Sequence, residues 1–370
     1  MTLKNLDWRA LDRLRDGFLN GTAANGPYWQ SASDLAAYDL TFGERIGWKW
    51  DAVLHELRLR GWTPPANTTI LDWGCGSGVA GRRVVAFFGA ENFSALHLHD
   101  HSPEAVEFAA RAARAKFPTM GVPRWRPDSD PIGLLVLSHV LNELSPEART
   151  ELLVLVQRAT AVLWVEPGTH ADSRALQQIR EELRTEFHVV APCTHQNACG
   201  LLAPGREHDW CHHFAPPPPE AYTDGNWVKF GARAGIDLRS VPYSFLALDK
   251  RANAAPPADG LSRIIGRPKY FKGYVRFLNC DATGIAELML QKRDDPALFK
   301  QLDRERGPLV YRWRREGNRA VGHEGLLERP ISNIQHPTSS FTKASAVAEA
   351  MADKTEDRPN EDQQTPNAEP

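Results

Sequence analysis

A short apolar strand that runs straight into a glycine-rich loop constrains this chain more than any other feature. Thr68-Thr69-Ile70-Leu71 is bounded by turn signals, with Pro64-Pro65 ahead of it. It leads into Asp72-Trp73-Gly74-Cys75-Gly76-Ser77-Gly78, and Val79 to Phe88 then reads as a helix. A glycine loop between a first strand and a first helix lets backbone N–H groups approach a ligand closely. A side chain there would block the approach, and the turn needs dihedrals that glycine tolerates best. Residues 76–81 formally match the dinucleotide pattern G-x-G-x-x-G. The plain alternative is a glycine turn with no ligand.

The rest of the chain repeats this alternation. A second strand covers Ala95 to His99 and ends at Asp100; Ser102-Pro103-Glu104 then starts a helix running to about Lys116. Leu134 to Leu137 is an apolar strand ending at Ser138-His139, and Ser145-Pro146-Glu147 repeats the helix-start signal. Ala161 to Val165 is another strand, closed by Glu166-Pro167-Gly168; a charged helix spans 171–187, and Val189-Val190 follows. A helix at Trp227 to Ala234 and a strand at Tyr243 to Leu248 return to the pattern after residues 191–219. Buried strands alternating with helices predict a parallel, doubly wound α/β sheet. Before it, Trp8, Leu11, Leu14 and Phe18 mark one helix, and Val53, Leu54 and Leu57 mark a second ending near Gly61. After it, Tyr274 to Leu278 and Ala286 to Gln291 flank Asp281-Ala282-Thr283-Gly284, which predicts a hairpin.

This gives four regions: N-terminal helices at 1–62, the sheet domain at 63–250 with an insertion at 191–219, a basic β extension at 251–330, and a tail at 331–370. The tail carries three basic and seven acidic side chains, is polar and nearly free of aromatics, and is expected to be disordered. Residues 261–330 carry fifteen Lys or Arg against nine Asp or Glu, although the whole chain has a net charge of only −2. Such an excess is either a solvated surface or a face turned toward RNA or another polyanion. No run of 18 apolar residues exists, and the N-terminus interleaves acids with its basic residues, so no membrane association and a cytoplasmic location are expected.

The insertion holds Cys193, Cys199 and Cys211, and Cys280 lies far along the chain at the predicted hairpin. Thiolates suit zinc or an iron–sulfur cluster, and either would accept four ligands. The spacing does not choose the metal. Four buried or free thiols are the alternative, and His195, His208, His212 and His213 are substitute ligands in the same region. Cys75, inside the glycine loop, reads as a small packed residue.

Extended back to Asp72, the loop string is D-x-G-x-G-x-G. This resembles motif I of class I S-adenosylmethionine-dependent methyltransferases, in which the acid helps position the amino-acid part of the cofactor. The resemblance favours a methyl donor over NAD. Asp100 stands where an acid can accept hydrogen bonds from ribose hydroxyls, which both cofactors carry. Ligands of open α/β sheets sit beyond the C-terminal strand ends, which puts Ser138, His139, Asn142 and Glu143 at the pocket. Asn142 and Glu143 could equally begin a helix and bond its backbone. No motif for a specific methyl-transfer chemistry is visible, and the acceptor is not written in the chain.

The combination LDWGCGSG (71–78), SHVLNEL (138–144), VEPGT (165–169), VVAPCTHQNAC (189–199), DWCHHF (209–214) and FLNCDATG (277–284) is more specific. Over about residues 40–300 it resembles the methyltransferase-like family associated with assembly of the mitochondrial small ribosomal subunit, which has bacterial relatives. The chain departs from that pattern near Tyr311-Arg312-Trp313 and in its acidic tail. The resemblance implies a class I methyltransferase fold that binds S-adenosylmethionine against Asp72, Gly74, Gly76, Gly78, Asp100, Ser138, His139 and Asn142. It implies a [4Fe-4S] cluster on Cys193, Cys199, Cys211 and Cys280, with the small ribosomal subunit and its RNA as partner. Catalysis is not a given in such proteins. A non-catalytic assembly factor and a small-molecule methyltransferase with structural zinc are the rival readings.

Overall fold

The computed structural model of the chain describes residues 2–19, 29–252, 254, 260–304 and 310–325. Three helices come first: α1 (Trp8–Leu19), α2 (Ala32–Tyr38) and α3 (Glu44–Leu59), with a π-helical turn at Asp39–Gly43 joining the last two. Helix α3 buries Trp48, Trp50, Val53, Leu54 and Leu57, which packs it against the sheet.

The sheet domain follows in the order β1 (Thr68–Trp73), α4 (Val79–Phe88), β2 (Phe93–His99), α5 (Pro103–Lys116), β3 (Leu134–Ser138), α6 (Pro146–Arg158), β4 (Ala161–Pro167), α7 (His170–Leu183) and β5 (His188–Ala191). After the insertion come β6 (His213–Phe214), α8 (Glu220–Thr223), α9 (Gly225–Ala234) and β7 (Pro242–Asp249). Serine caps start α5 and α6, where Ser102 and Ser145 accept from Ala105 N–H and Ala148 N–H with proline in the first turn.

The strand order is β2-β1-β3-β4-β7-β5, with β6 paired to β7. Strands β2, β1, β3 and β4 are parallel, whereas β7 runs antiparallel to both β4 and β5. The wholly parallel sheet expected from the alternation is therefore corrected at β7. A strand's apolar run does not encode its direction; the connection does, and here the connection is the long insertion with α8 and α9. This is the class I methyltransferase sheet, with its antiparallel strand inserted next to the edge. Its faces are covered by two apolar layers, one centred on Trp50, Leu54, Ile70, Val136 and Phe245, the other on Leu135, Leu137, Trp164, Ile179 and Leu248.

The extension is more than the predicted hairpin. β8 (Ser262–Phe271), β9 (Tyr274–Asp281), β10 (Gly284–Gln291), β11 (Val310–Glu316) and β12 (Arg319–Gly325) close a barrel in the order β10-β12-β11-β8-β9. Helix α10 (Pro296–Arg304) lies between β10 and β11. Neighbouring strands are antiparallel except β10 and β12, which are parallel. Ile264, Val275, Phe277, Leu288, Leu290, Leu298 and Trp313 fill the barrel, and Trp313 Nε1 donates to Asn279 Oδ1 at 2.9 Å. The hairpin at 281–284 is present, with Gly284 opposite Asp281. The tail at 331–370 and most of the linker at 252–260 lie outside the described residues.

Candidate functional site: a glycine loop and a cysteine-lined cavity

The loop after β1 takes its shape from three glycines in the left-handed region, Gly74, Gly76 and Gly78, at φ 69°, 50° and 78°. A Cβ at Gly78 would stand 2.7 Å from the Cβ of Ala109 on α5, and one at Gly74 would meet Val140 Cγ1 at 2.7 Å. The loop can therefore sit this close to its neighbours only without side chains. The fully buried Asp72 accepts from Gly81 N–H at 2.9 Å through one oxygen, and its other oxygen has no partner. Asp100 accepts from Gly76 N–H at 2.8 Å and from Ser102 N–H at 2.9 Å. Both acids thus hold the loop itself, and a carboxylate oxygen retains a second lone pair for a ligand.

The N-terminal helices reach over this loop. A Cβ on Gly76 would lie 4.0 Å from Trp29, and Trp29 stacks edge-on against Tyr38 at 5.1 Å. Arg82 donates to Ser77 O and to Asp39, tying the loop to the turn after α2. The sequence reading identified these helices but not where they pack.

Charge is concentrated here. Burial, then the nearby Asp100, pushes Glu143 up to about 7. Burial likewise raises Asp72 to about 7, against the pull of Gly81 N–H and Arg82. Three carboxylates around one glycine loop make a site suited to a cationic ligand.

At the end of β3, His139 sits at φ 58°, and its Nε2 lies 2.8 Å from Lys49 Nζ on α3. Ser138 Oγ is 3.3 Å from His139 Nδ1 and accepts from Trp50 Nε1 at 3.0 Å. Burial, with Arg45 nearby, lowers Lys49 to about 7, and burial with Lys49 drives His139 well below its ordinary value. Lys49 therefore titrates near neutral pH beside a neutral His139. Glu166 accepts from Val140 N–H, Leu141 N–H and Trp164 Nε1, and so fixes the turn that carries these groups. Asn142 is exposed on that turn, farther out than Ser138 and His139. Lys49 went unread in the sequence, since a lysine within a helix resembles any solvated one, and Glu166 was read only as closing its strand.

The second site is a cavity between α7, the insertion, β7 and the barrel. Cys193, Cys199, Cys211 and Cys280 all line it, together with Gln177, Arg180, Thr194, His195 and Arg263. The structure thus brings the four predicted cysteines together, Cys280 arriving on β9. Burial and the neighbouring Cys193 push Cys199 up to about 11; burial, then neighbouring cysteines, also raise Cys211 and Cys280. Buried polar atoms of Gln177, Thr194, His195 and Arg180 on the same wall have no hydrogen-bond partner. Among the described residues, no three His, Cys, Asp or Glu groups converge tightly enough to hold a single metal ion. Of the histidines, His195 Nε2 lies 3.6 Å from Cys280 Sγ and His213 Nε2 3.6 Å from Cys211 Sγ. His212 stacks on Trp210 at 4.6 Å, and His208 is exposed.

An ionic knot that the sequence did not reveal closes the cavity. Arg60, which caps the end of α3, donates to the carbonyls of Val190, Pro192 and Cys193 at 3.1, 2.9 and 3.0 Å. Arg263 on β8 donates to Pro192 O at 3.1 Å, and both arginines pair with the buried Glu56. Helix, insertion and barrel are therefore held at one point.

The span from α3 to α10, containing both sites, decides the family: residues 51–306 match the family described as mitochondrial small ribosomal subunit Rsm22. The chain belongs to the Rsm22 family. Among curated proteins none matches. Several solved structures similar to this Rsm22-family chain are described as methyltransferases. One is an S-adenosylmethionine-dependent enzyme of Leishmania major, 14% identical, covering 62% of this chain and 82% of its own, with a TM-score of 0.37. Another, from Aquifex aeolicus, is 16% identical, covers 44% and 90%, and scores 0.32. An rRNA methylase of Escherichia coli is 14% identical, covers 49% and 69%, and also scores 0.32. No helix among the described residues is long and apolar enough to cross a membrane.

Proposed function

We propose that this Rsm22-family chain is a methyltransferase-like protein that binds S-adenosylmethionine at the glycine loop and works on the RNA of the small ribosomal subunit. The observation that carries the reading is that one family match spans both the glycine loop and Cys280, so loop and cysteine cavity belong to one design. In it, Asp72, Asp100 and Glu143 face the cationic groups of the donor, which lies against Gly74, Gly76 and Gly78, and Ser138, His139 and Asn142 border its reactive end. The donor supplies a methyl group on a sulfonium, and its displacement depends mainly on alignment. Lys49, next to a neutral His139, titrates beside it. The division at residues 62 and 250 and a cytoplasmic site of action go with this reading.

We also propose a [4Fe-4S] cluster on Cys193, Cys199, Cys211 and Cys280. The donor set fits: four thiols on one cavity, cationic Arg180 and Arg263 beside them, and buried polar groups awaiting partners. Zinc on the same four thiols is the alternative, and metal analysis separates the two. The cluster's role is a staple between insertion and barrel.

A second reading, binding without methyl transfer, is favoured by the Lys49–His139 contact, which satisfies the groups at the strand end from within the chain. The test uses the full chain with S-adenosylmethionine carrying a labelled methyl group and with isolated small subunits. Binding of both, with label appearing on RNA, supports the first reading. Binding of both without label selects the second, and binding of neither removes both.

A further inference from the structure

The barrel order β8-β9-β10-β12-β11, closed by β11 on β8, is that of an oligonucleotide-binding fold. It has five strands, a helix between the third and fourth, and the third and fifth parallel. Barrels of this topology use the outer face of their second and third strands and the adjoining loops to hold single-stranded nucleic acid. Topology alone assigns no function, so the face must carry the argument.

Along β9 the side chains alternate, with Val275, Phe277 and Asn279 inside and Tyr274, Arg276 and Leu278 outside. At one end of this outer face, Phe271 and Tyr274 stack at 4.7 Å with an interplanar angle of 9°, and Phe271 is 38% exposed. The Arg276 guanidinium lies 4.8 Å from the Phe271 ring. Lys272 occupies the turn between the two rings, and Lys292 N–H donates to Gly273 O at 2.9 Å, which brings Lys292 and Arg293 beside that turn. The carboxylates nearby are already engaged: Glu287 by Arg276, Asp294 by Arg319 and Asp295 by His323.

Lys269 on β8 sits directly opposite Arg276 on β9, so both cations emerge on the same side of the barrel, and Glu287 pairs with Arg276 alone. A phosphate at this edge meets Lys269, and the exposed, flat aromatic pair beside it offers an unstacked base a surface.

We infer that this face, built from Lys269, Phe271, Lys272, Tyr274, Arg276 and Lys292, binds single-stranded RNA, with a base stacked on the Phe271–Tyr274 pair and phosphates on the surrounding cations. The inference rests on the RNA-binding part of the proposed function, and is independent of the methyl donor and the cluster. It narrows the partner from RNA in general to an unpaired stretch, because bases within a duplex are already stacked on each other.

The full chain is titrated against a fluorescent single strand of about 12 nucleotides, a duplex of the same length and an acidic peptide. The single strand should bind best. Phe271→Ala with Tyr274→Ala should weaken it about tenfold or more while leaving the salt dependence unchanged. Lys269→Gln with Lys272→Gln should reduce the slope of log affinity against log salt by about 1.4. Phe271→Trp should retain binding, and melting curves of all variants should match the parent. Equal or tighter binding of duplex or acidic peptide, or unchanged binding by the aromatic variants, would overturn the inference. If the aromatic variants are unaffected while small subunits still bind, this face fails and the proposed function stands. If the chain binds neither free RNA nor small subunits, both fail.

Discussion

Arg263 on β8 closes a two-pronged ion pair with Glu56 on α3, Nη1 to Oε1 at 2.5 Å and Nη2 to Oε2 at 2.8 Å, with both side chains buried. The residues lie 207 positions apart, so this contact fastens the barrel to the N-terminal helices. Removing one partner leaves the other charged and buried. Glu56→Gln is expected to cost about 3–5 kcal/mol, measured by urea denaturation, whereas Glu56→Leu with both Arg60→Met and Arg263→Met, which leaves no buried charge unpaired, should cost much less. Equal losses in the single and triple variants would show that these ion pairs are not the fastening.

The glycine loop has little room. Gly78→Ala adds a Cβ 2.7 Å from that of Ala109 at a position with φ 78°. A loss of about 1–3 kcal/mol in stability is expected, with loss of S-adenosylhomocysteine binding by calorimetry. Unchanged binding would mean that the loop does not face the ligand.

Glu143 provides a pH handle on that ligand. Burial and Asp100 hold its pKa at about 7, so it ionises as pH rises through neutrality and then attracts a cation. Affinity for S-adenosylmethionine should rise about tenfold between pH 6 and 8, and Glu143→Gln should reduce the rise, leaving the part that Asp72 supplies in the same range. A flat profile in the parent chain would remove Glu143 from the site.

Lys49 gives a stability signature with a definite sign. Burial lowers its pKa to about 7 from the ordinary 10.5. Between those values the unfolded chain holds a proton that the native chain has released, so this residue makes stability rise with pH across that window. The contribution is up to about 1.4 kcal/mol per pH unit. Lys49→Met should flatten that part of the pH–stability curve relative to the parent. An identical slope in both would show that Lys49 is not buried in this state.

These residues mark what the sequence could and could not carry. The helix at Val79–Phe88 was legible to the residue, because the glycines before it and Gly89 after it punctuate a strong apolar pattern. Three of the cysteines were legible through their clustering in the insertion, whereas Cys280, far along the chain, joined them only through the family resemblance. Strand β8 was not, since Gly266 and Pro268 interrupt it. Strand β11 was not either: its Arg312, Arg314 and Arg315 read as part of a charge run, while Val310, Tyr311 and Trp313 are buried. With both strands hidden, a hairpin was the most that the late segment offered. The direction of β7, the burial of Lys49 and the Glu56–Arg263 pair arise from tertiary packing between distant segments, which no local pattern records.

The most direct test of the account is metal analysis of protein purified without oxygen, with iron, sulfide and zinc measured beside the visible spectrum. The account predicts a brown protein with about four iron and four sulfide per chain, and loss of both in Cys199→Ser. Zinc without iron, or no metal in strictly anaerobic material, would contradict it.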